Sequence, residues 1–300
     1  MVLIFSEKND QTTNKVIQWL LYYNKAFIRI NDDEIFEIQV ENRRLKLVSR
    51  SNCFFIDEIT SVWFRRGGLK IKYLEYDNAG LNDYMFETQF WIKDYILYKL
   101  EQVKTINKES KSTVNKLIVL EYAEKIGLSV PQYFLSNSTD GLEMGDFVTK
   151  TINGNGTVDI SDNVSGWSYT TVLDQNLDFT FYPTLFQNLI EKKFEIRSFY
   201  LNGHIWSMAI ISQLDQSTAI DYRHYNKENP NRNIPYKLPC EIEDKIRKLM
   251  LILDLNSGSI DFIKGIDDTY YFLEVNPVGQ FDVLSVNCNY KLDKIIATYL

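Results

Sequence analysis

Three oxygen-bearing side chains late in the 300-residue chain have the types and spacing to hold a divalent cation. The segment runs Gly258-Ser259-Ile260-Asp261-Phe262-Ile263-Lys264, turns through Gly265-Ile266-Asp267-Asp268-Thr269, and returns as Tyr270-Tyr271-Phe272-Leu273-Glu274-Val275-Asn276-Pro277. A turn centred on Asp267-Asp268 predicts a hairpin with Asp261 opposite Glu274. Directly opposed antiparallel residues have Cβ atoms about 4.5–5.5 Å apart, so two carboxylates there repel unless positive charge lies between them. Strand alternation puts Glu274 and Asn276 on the face of Asp261 and predicts Leu273 and Val275 in the core. Magnesium takes hard oxygen ligands, usually one or two carboxylates, with water and phosphate oxygens completing its shell. Asp261, Glu274 and Asn276 are therefore the candidate metal ligands. The alternative is an exposed hairpin whose acids face water.

A nucleotide beside such a metal needs positive charge over its phosphates. Lys150 ends the predicted strand Asp146-Phe147-Val148-Thr149-Lys150 and enters a turn with Gly154 and Gly156. Glycines there let backbone amides approach phosphate oxygens. A glycine turn after a strand is also often only a turn, and no Gly-Lys-Ser/Thr follows to make it a P-loop. Glu195 and Arg197 alternate onto one face of a further strand, as a site pair or as a surface ion pair of little worth. Arg223, in Asp221-Tyr222-Arg223, is a guanidinium able to grip a phosphate bidentately, or a solvated loop arginine. The two histidines, His204 and His224, form neither a triad nor a zinc cluster.

The elements that must position these groups are legible in outline. Val2-Leu3-Ile4-Phe5, the helical pattern Val16, Ile17, Trp19, Leu20, Leu21, and Ala26-Phe27-Ile28-Arg29-Ile30 make a βαβ unit. Ser61 to Arg66 reads as another strand, and a long helix is predicted from about Asn82 to Val103, so the first part is an open α/β subdomain. The polar run Asn107 to Thr113 is a linker or exposed loop. After it come a helix through Lys116, Leu117, Leu120 and Ala123, stopped by Gly127, and the strand Gln132-Tyr133-Phe134-Leu135. Asn202-Gly203 marks a tight hairpin. The expected division is 1–105, an N-terminal α/β domain; 106–185, a central subdomain with the glycine loop; and 186–300, a C-terminal subdomain with the metal site. The fold class is α/β with α+β subdomains.

Composition narrows the function. Hydrophobic residues make up 45% and charged residues 24%, which is ordinary globular usage. Forty acidic against 33 basic side chains give a net charge of −7, so nucleic acid is not an expected partner. Cys53, Cys240 and Cys288 are odd in number and form no CxxC pair, against a disulfide framework or thiolate zinc site. No basic-then-apolar signal pattern follows Met1, and no apolar run reaches the ~20 residues of a membrane span. The expectation is a cytoplasmic protein with no membrane partner.

Taken in order, Lys116, Lys150 with its glycine loop, Gln187 to Lys192, Glu195-Arg197, Asp261 and Glu274-Val275-Asn276-Pro277 resemble the ATP-grasp superfamily over nearly the whole chain. Within it, Ser61-Val62-Trp63-Phe64-Arg65-Arg66, Asn115-Lys116, Asp221-Tyr222-Arg223 and Phe272 to Phe281 look like the graspetide, or microviridin-type, peptide macrocyclases. Cys288-Asn289-Tyr290 with the helix Leu292 to Leu300 is similar to their grasp-with-spasm branch. The resemblance implies an ATP-grasp fold behind an N-terminal pre-ATP-grasp α/β domain, and an ADP-forming ligase that uses ATP and Mg2+. Its substrate would be a ribosomal precursor peptide, leader and core, whose Asp or Glu side chains are joined to Thr, Ser or Lys side chains as esters or amides.

The resemblance places Lys116 and Lys150 on ATP phosphates. Gln187, Leu189, Ile190 and Glu191 fall in the hinge beside adenine and ribose, with Asp261, Glu274 and Asn276 on magnesium. Arg197 and Arg223, with Glu195 and Asp221 of the same motifs, belong to its catalytic set. Tyr222 departs from the tryptophan more usual there, which bears on the shape of the acceptor pocket. A homodimer is a further implication. Two rivals remain at this point: a related ligase adding amino acids to a peptide or protein terminus, and a non-catalytic ATP-binding scaffold.

Overall fold

The computed structural model describes residues 1–152, 157–161, 164–167, 170–177, 179–212 and 231–300, with the backbone alone for 157–161 and 164–167. By internal contacts the chain forms two units, 1–112 with 291–300, and 113–290.

The first unit opens with the predicted βαβ. Strand β1 (Val2–Ser6), helix α1 (Gln11–Tyr22) and strand β2 (Phe27–Asn31) are followed by β3 (Ile35–Glu41), β4 (Arg44–Val48), β5 (Cys53–Phe55), β6 (Ser61–Phe64), β7 (Lys70–Ile71), helix α2 (Ala79–Glu101) and β8 (Lys104–Ile106). A parallel sheet runs β2-β1-β6-β8, and β1 is buried along its whole length, which is why it reads as an unbroken apolar run. A second sheet, β5-β4-β3-β7, lies in the stretch between the predicted strands. Phe5 stacks on Phe64 at 5.1 Å, and Phe36 and Phe54 meet edge to face in the same core. Asp10 caps α1 by accepting from Thr13 N at 3.0 Å. It also lies 3.1 Å from the buried Arg65 guanidinium, which burial pushes down to about 10 and which stays charged at neutral pH. Residues 291–300 close this unit: Trp19 Nε1 donates to Asp293 Oδ2 at 2.7 Å, and Ser61 Oγ donates to the Leu300 carbonyl at 2.9 Å.

The second unit begins with α3 (Lys116–Lys125), whose N-cap Asn115 accepts from Leu117 and Ile118 N–H. As predicted, Gly127 ends it: at φ +81° it takes the left-handed turn and its N–H returns to Glu124 O at 2.8 Å. Then come β9 (Tyr133–Ser136), β10 (Phe147–Lys150), β11 (Thr157–Ser161), β12 (Val164–Trp167), β13 (Thr171–Val172) and β14 (Thr184–Asn188). Four of them form an antiparallel sheet, β13-β10-β14-β9, and β11 pairs with β12.

The larger sheet follows: β15 (Lys192–Leu201), β16 (His204–Ile211), β17 (Arg232–Tyr236), helix α4 (Cys240–Ile252), β18 (Ser257–Gly265), β19 (Tyr270–Asn276) and helix α5 (Asp282–Asn287), before α6 (Leu292–Tyr299) of the first unit. Its order is β17-β16-β15-β18-β19, antiparallel throughout. Asn202 and Gly203 both have positive φ, the conformation a two-residue I′ turn needs. One sheet face packs Ile196, Ile260, Phe262, Phe272 and Val275 against Val119, Leu120 and Ala123 of α3 and Ile246, Leu249 and Met250 of α4. The other face carries Arg197 and Asp261, and Phe199 on that same face packs against Phe281 at the start of α5, ring centroids 4.9 Å apart.

Candidate functional site

The face opposite α3 and α4 is where the sequence placed its chemistry. Strand β18 sits between β15 and β19, and Asp261 is in register with Arg197 on one side and Glu274 on the other. Ser259 pairs with Asn276 two residues along, on the same face. The predicted opposition of Asp261 and Glu274 is therefore present, but it is reached differently. The register shifts by one between Asp261 and Phe262, because β19 carries an extra residue, Leu273. Without that bulge Asp261 would face an apolar residue. The expectation that Leu273 enters the core is corrected for the same reason: Phe272 pairs with Phe262 and fills the core position, and Leu273 is the bulged residue, half-buried.

Cations already stand beside both carboxylates. Lys116 Nζ, from the first residue of α3, lies 3.0 Å from Glu274 Oε2 and donates to the Thr151 carbonyl at 3.1 Å. Arg197 Nη1 lies 3.6 Å from Asp261 Oδ2, with both side chains 18% exposed. Glu195 is buried and paired to Lys192, itself 5% exposed, so it is no surface ion pair. The sequence marks Lys192 only as the end of the segment from Gln187; its signal is its place three residues before Glu195, across the extra residue that shifts the β15–β18 register between Lys192 and Phe194. Asn276 Oδ1 accepts from Val278 N at 3.1 Å, which holds its amide at the turn, while the oxygen keeps a second lone pair. Gly279 makes that turn: a Cβ there would stand 2.4 Å from Ser259 Cβ.

The smaller sheet supplies the remaining described candidates. Lys150 ends β10 opposite Leu185 of β14, and Thr151 behind it accepts from Lys116, so the segments of the two lysines meet. Gln187, two residues along β14, is 2% exposed, and its Nε2 has no hydrogen-bond partner. Leu189, Ile190 and Glu191 link β14 to β15, with Leu189 N–H donating to Asp146 O at 2.7 Å and Glu191 O accepting from Ile266 N at 3.0 Å. Gly154, Gly156, Asp221 and Arg223 lie outside the described residues.

These residues fit a magnesium nucleotide. A buried amide donor left unsatisfied costs on the order of 1–3 kcal/mol, which an acceptor on a bound base would remove. Two opposed carboxylates and an amide oxygen match the ligand type and number magnesium takes from protein. Among the described residues no three His, Cys, Asp or Glu side chains cluster, so a zinc-type cage is absent from them.

No protein-family profile matches the chain, and no curated protein matches it. Solved structures do, over the full length. Macrocyclase MdnC of Microcystis aeruginosa MRC, bound with precursor peptide MdnA, is 23% identical over 100% of this chain and 99% of its own, with a TM-score of 0.75. The RiPP-associated ATP-grasp ligase of Chryseobacterium gregarium, in complex with ADP and a leader and core peptide, is 24% identical over 99% of this chain and 94% of its own, at 0.76. Macrocyclase MdnB of Microcystis aeruginosa MRC is 19% identical over 100% and 98%, at 0.73.

The chain thus has the ATP-grasp fold, a mixed α/β architecture shared by these ligases from end to end. At these identities the likeness is one of fold, and the chemistry has to be argued from the chain's own residues.

Proposed function

We propose that this chain is an ADP-forming ligase that closes rings in a ribosomal precursor peptide, joining Asp or Glu side chains to Thr, Ser or Lys side chains. The observation that carries the reading is the in-register pair Asp261 and Glu274, flanked by Arg197 and Lys116, on the sheet face opposite α3 and α4. A carboxylate is a poor acyl donor because oxide would have to leave. Transfer of the γ-phosphoryl group to it releases ADP and turns that oxygen into part of a phosphate leaving group. The tethered hydroxyl or amine then attacks the acyl carbon, phosphate departs, and the nucleophile's proton is lost.

Positioning and charge neutralisation dominate such chemistry, so lysines, arginines and carboxylates suffice and no nucleophilic Ser or Cys is required. In this reading Asp261, Glu274 and Asn276 hold Mg2+, which neutralises phosphate oxygens when bound. Lys116 and Lys150 face the phosphates, and Gln187 with Leu189, Ile190 and Glu191 borders the base. Arg197 and Arg223, with Glu195 and Asp221 in the same catalytic set, meet the transferred phosphate and the acceptor. Gly154 and Gly156 belong to the nucleotide-binding set. Residues 1–105, 106–185 and 186–300 act as the pre-ATP-grasp, central and C-terminal parts of a cytoplasmic enzyme, and a homodimer is the expected assembly. Among the described residues no helix is long and apolar enough to cross a membrane.

The test incubates the protein with Mg-ATP, a candidate precursor and mixed free amino acids, then fragments the product in a mass spectrometer. Loss of one water per ring, with fragment ions missing across the ring and ADP as the nucleotide product, is the expected outcome. A gain of one amino-acid residue would replace the reading with terminal ligation. AMP as the main product would remove the acyl phosphate, and no turnover with any precursor would leave only the scaffold.

A further inference from the structure

Lys116 ties together the two sheets of the candidate site. Its Nζ lies 3.0 Å from Glu274 Oε2 on β19 and donates to the Thr151 carbonyl, one residue past β10, at 3.1 Å. The Lys116 and Glu274 side chains are 17% and 25% exposed, so the pair is partly shielded from water. On β18, Asp261 Oδ2 has Arg197 Nη1 at 3.6 Å. Two cations thus balance the two carboxylates of the proposed metal set. The cations differ in freedom. Arg197 is held in register within β15, between β16 and β18. Lys116 is the first residue of α3, where the Asn115 cap and the bond from Val119 N–H to Asn115 O fix the backbone. Its ammonium, by contrast, sits on a flexible stem with rotatable donors.

We propose that Lys116 sets the order in which this site fills: it holds Glu274 until a nucleotide phosphate takes over its ammonium, so Mg2+ is admitted with the nucleotide and refused without it. This ordering rests on the metal assignment proposed above and adds a rule of entry to it. A bare divalent cation meets carboxylates that are already neutralised, and reaching Glu274 sets it beside the ammonium. Like charges a few ångströms apart repel several times more strongly in a partly buried site than in water. A nucleotide reverses the balance, because its phosphates carry negative charge and supply acceptor oxygens to which the ammonium can turn. Glu274 is then left to the metal. An ammonium has three donors, so Lys116 can change one partner while the Thr151 carbonyl keeps its Nζ beside the small sheet. Two opposed carboxylates without such a cation would be an ordinary hard-cation site, open to divalent ions on their own. The Lys116–Glu274 pair guards against that premature filling.

Mn2+ takes the same oxygen ligands as Mg2+, and its enhancement of water-proton relaxation reports the ion carried on protein. The full chain is titrated with Mn2+ alone and with Mn2+ plus a non-hydrolysable ATP analogue, without precursor. The parental chain should bind Mn2+ weakly alone and roughly tenfold or more tightly with the analogue. Lys116→Met keeps the length of the stem and removes the charge; it should bind bare Mn2+ about tenfold more tightly than the parent. Adding Glu274→Gln to it should abolish that gain. Lys116→Gln keeps a donor for Thr151 and should move the same way, which decides the matter if Lys116→Met does not fold.

Bare Mn2+ held by the parent as tightly as with the analogue overturns the ordering. So does a folded Lys116 variant that shows no gain, or a gain that survives Glu274→Gln. A parent that takes Mn2+ with the analogue, beside Lys116 variants that gain nothing, loses the ordering and keeps the metal site. A parent that carries no Mn2+ under either condition loses both.

Discussion

Two carboxylates in register, each with a cation beside it, make the chemistry of this face depend on single atoms. Glu274→Gln or Asp261→Asn keeps side-chain volume and removes one formal charge. Each should lower the rate of ATP turnover by on the order of 10²–10³, the usual cost of deleting one preorganised charge, with the melting temperature little changed. Steady-state ADP release with precursor present measures this, and a parental rate in either variant would remove the metal assignment. A second residue-scale expectation lies in the first unit. Asp10 and Arg65 are 2% and 3% exposed at the side chain, and Asp10→Ala leaves a buried guanidinium without its carboxylate. That should cost about 3–5 kcal/mol in a denaturant titration. At this scale alternation placed Glu274 and Asn276 on one face of β19, but the pairing of Glu274 with Asp261 depends on the bulge at Leu273. The partnership of Lys192 with Glu195 likewise spans a bulge, which leaves no mark in residue types.

Hairpins and turns set where those atoms stand. The bulge at Leu273 brings Glu274 opposite Asp261, and the turn at Asn276 to Gly279 folds back on Ser259. Gly279→Ala would put a methyl 2.4 Å from Ser259 Cβ, so either the turn or β18 must move. The expected result is a loss of roughly 1–3 kcal/mol in stability together with loss of magnesium-dependent turnover; Ser259→Gly in the same chain should restore part of both. The tip of the hairpin is sensitive to acid. The Thr269 backbone N–H holds the Asp267 carboxyl below its usual range, and Lys193 and Lys264 do so for Asp268. Depressed carboxyls stabilise the fold at neutral pH and lose that contribution as pH falls through and below about 4. Amide exchange at residues 265–269 should therefore quicken in that window. Element existence was legible from period and turn residues, as with α3 ending at Gly127. Register was not, because one extra residue changes every partner while leaving the local pattern intact. The β5-β4-β3-β7 sheet falls in a stretch where Arg44–Val48 does alternate polar and apolar residues, Arg44-Leu45-Lys46-Leu47, a pattern too short to fix its partners.

Over the whole molecule, the described members of the proposed nucleotide set fall within one unit, residues 113–290. Mg-ATP should thus slow amide exchange chiefly in that unit, around β10, β14, β18 and β19, and raise its unfolding temperature in a ligand-dependent way. Protection confined to residues 1–112 would contradict the site. The contacts separate between Ser112 and Thr113, at the end of the polar run Asn107 to Thr113. Nothing local marked the return of residues 291–300 to the first unit, because a bond such as Trp19 to Asp293 joins positions far apart in sequence.

That return has a temporal consequence. The parallel sheet of the first unit is complete by Ile106, yet Leu292, Ile296 and Ala297, buried in the helix beside α1, leave the ribosome only after all of residues 113–290. At roughly 5–20 residues per second, the nascent first unit must wait on the order of ten seconds or more for its closing helix. During that interval the surface α6 will cover, around Trp19, Lys25 and Ser61, is open to water and to any chaperone that reads apolar surface.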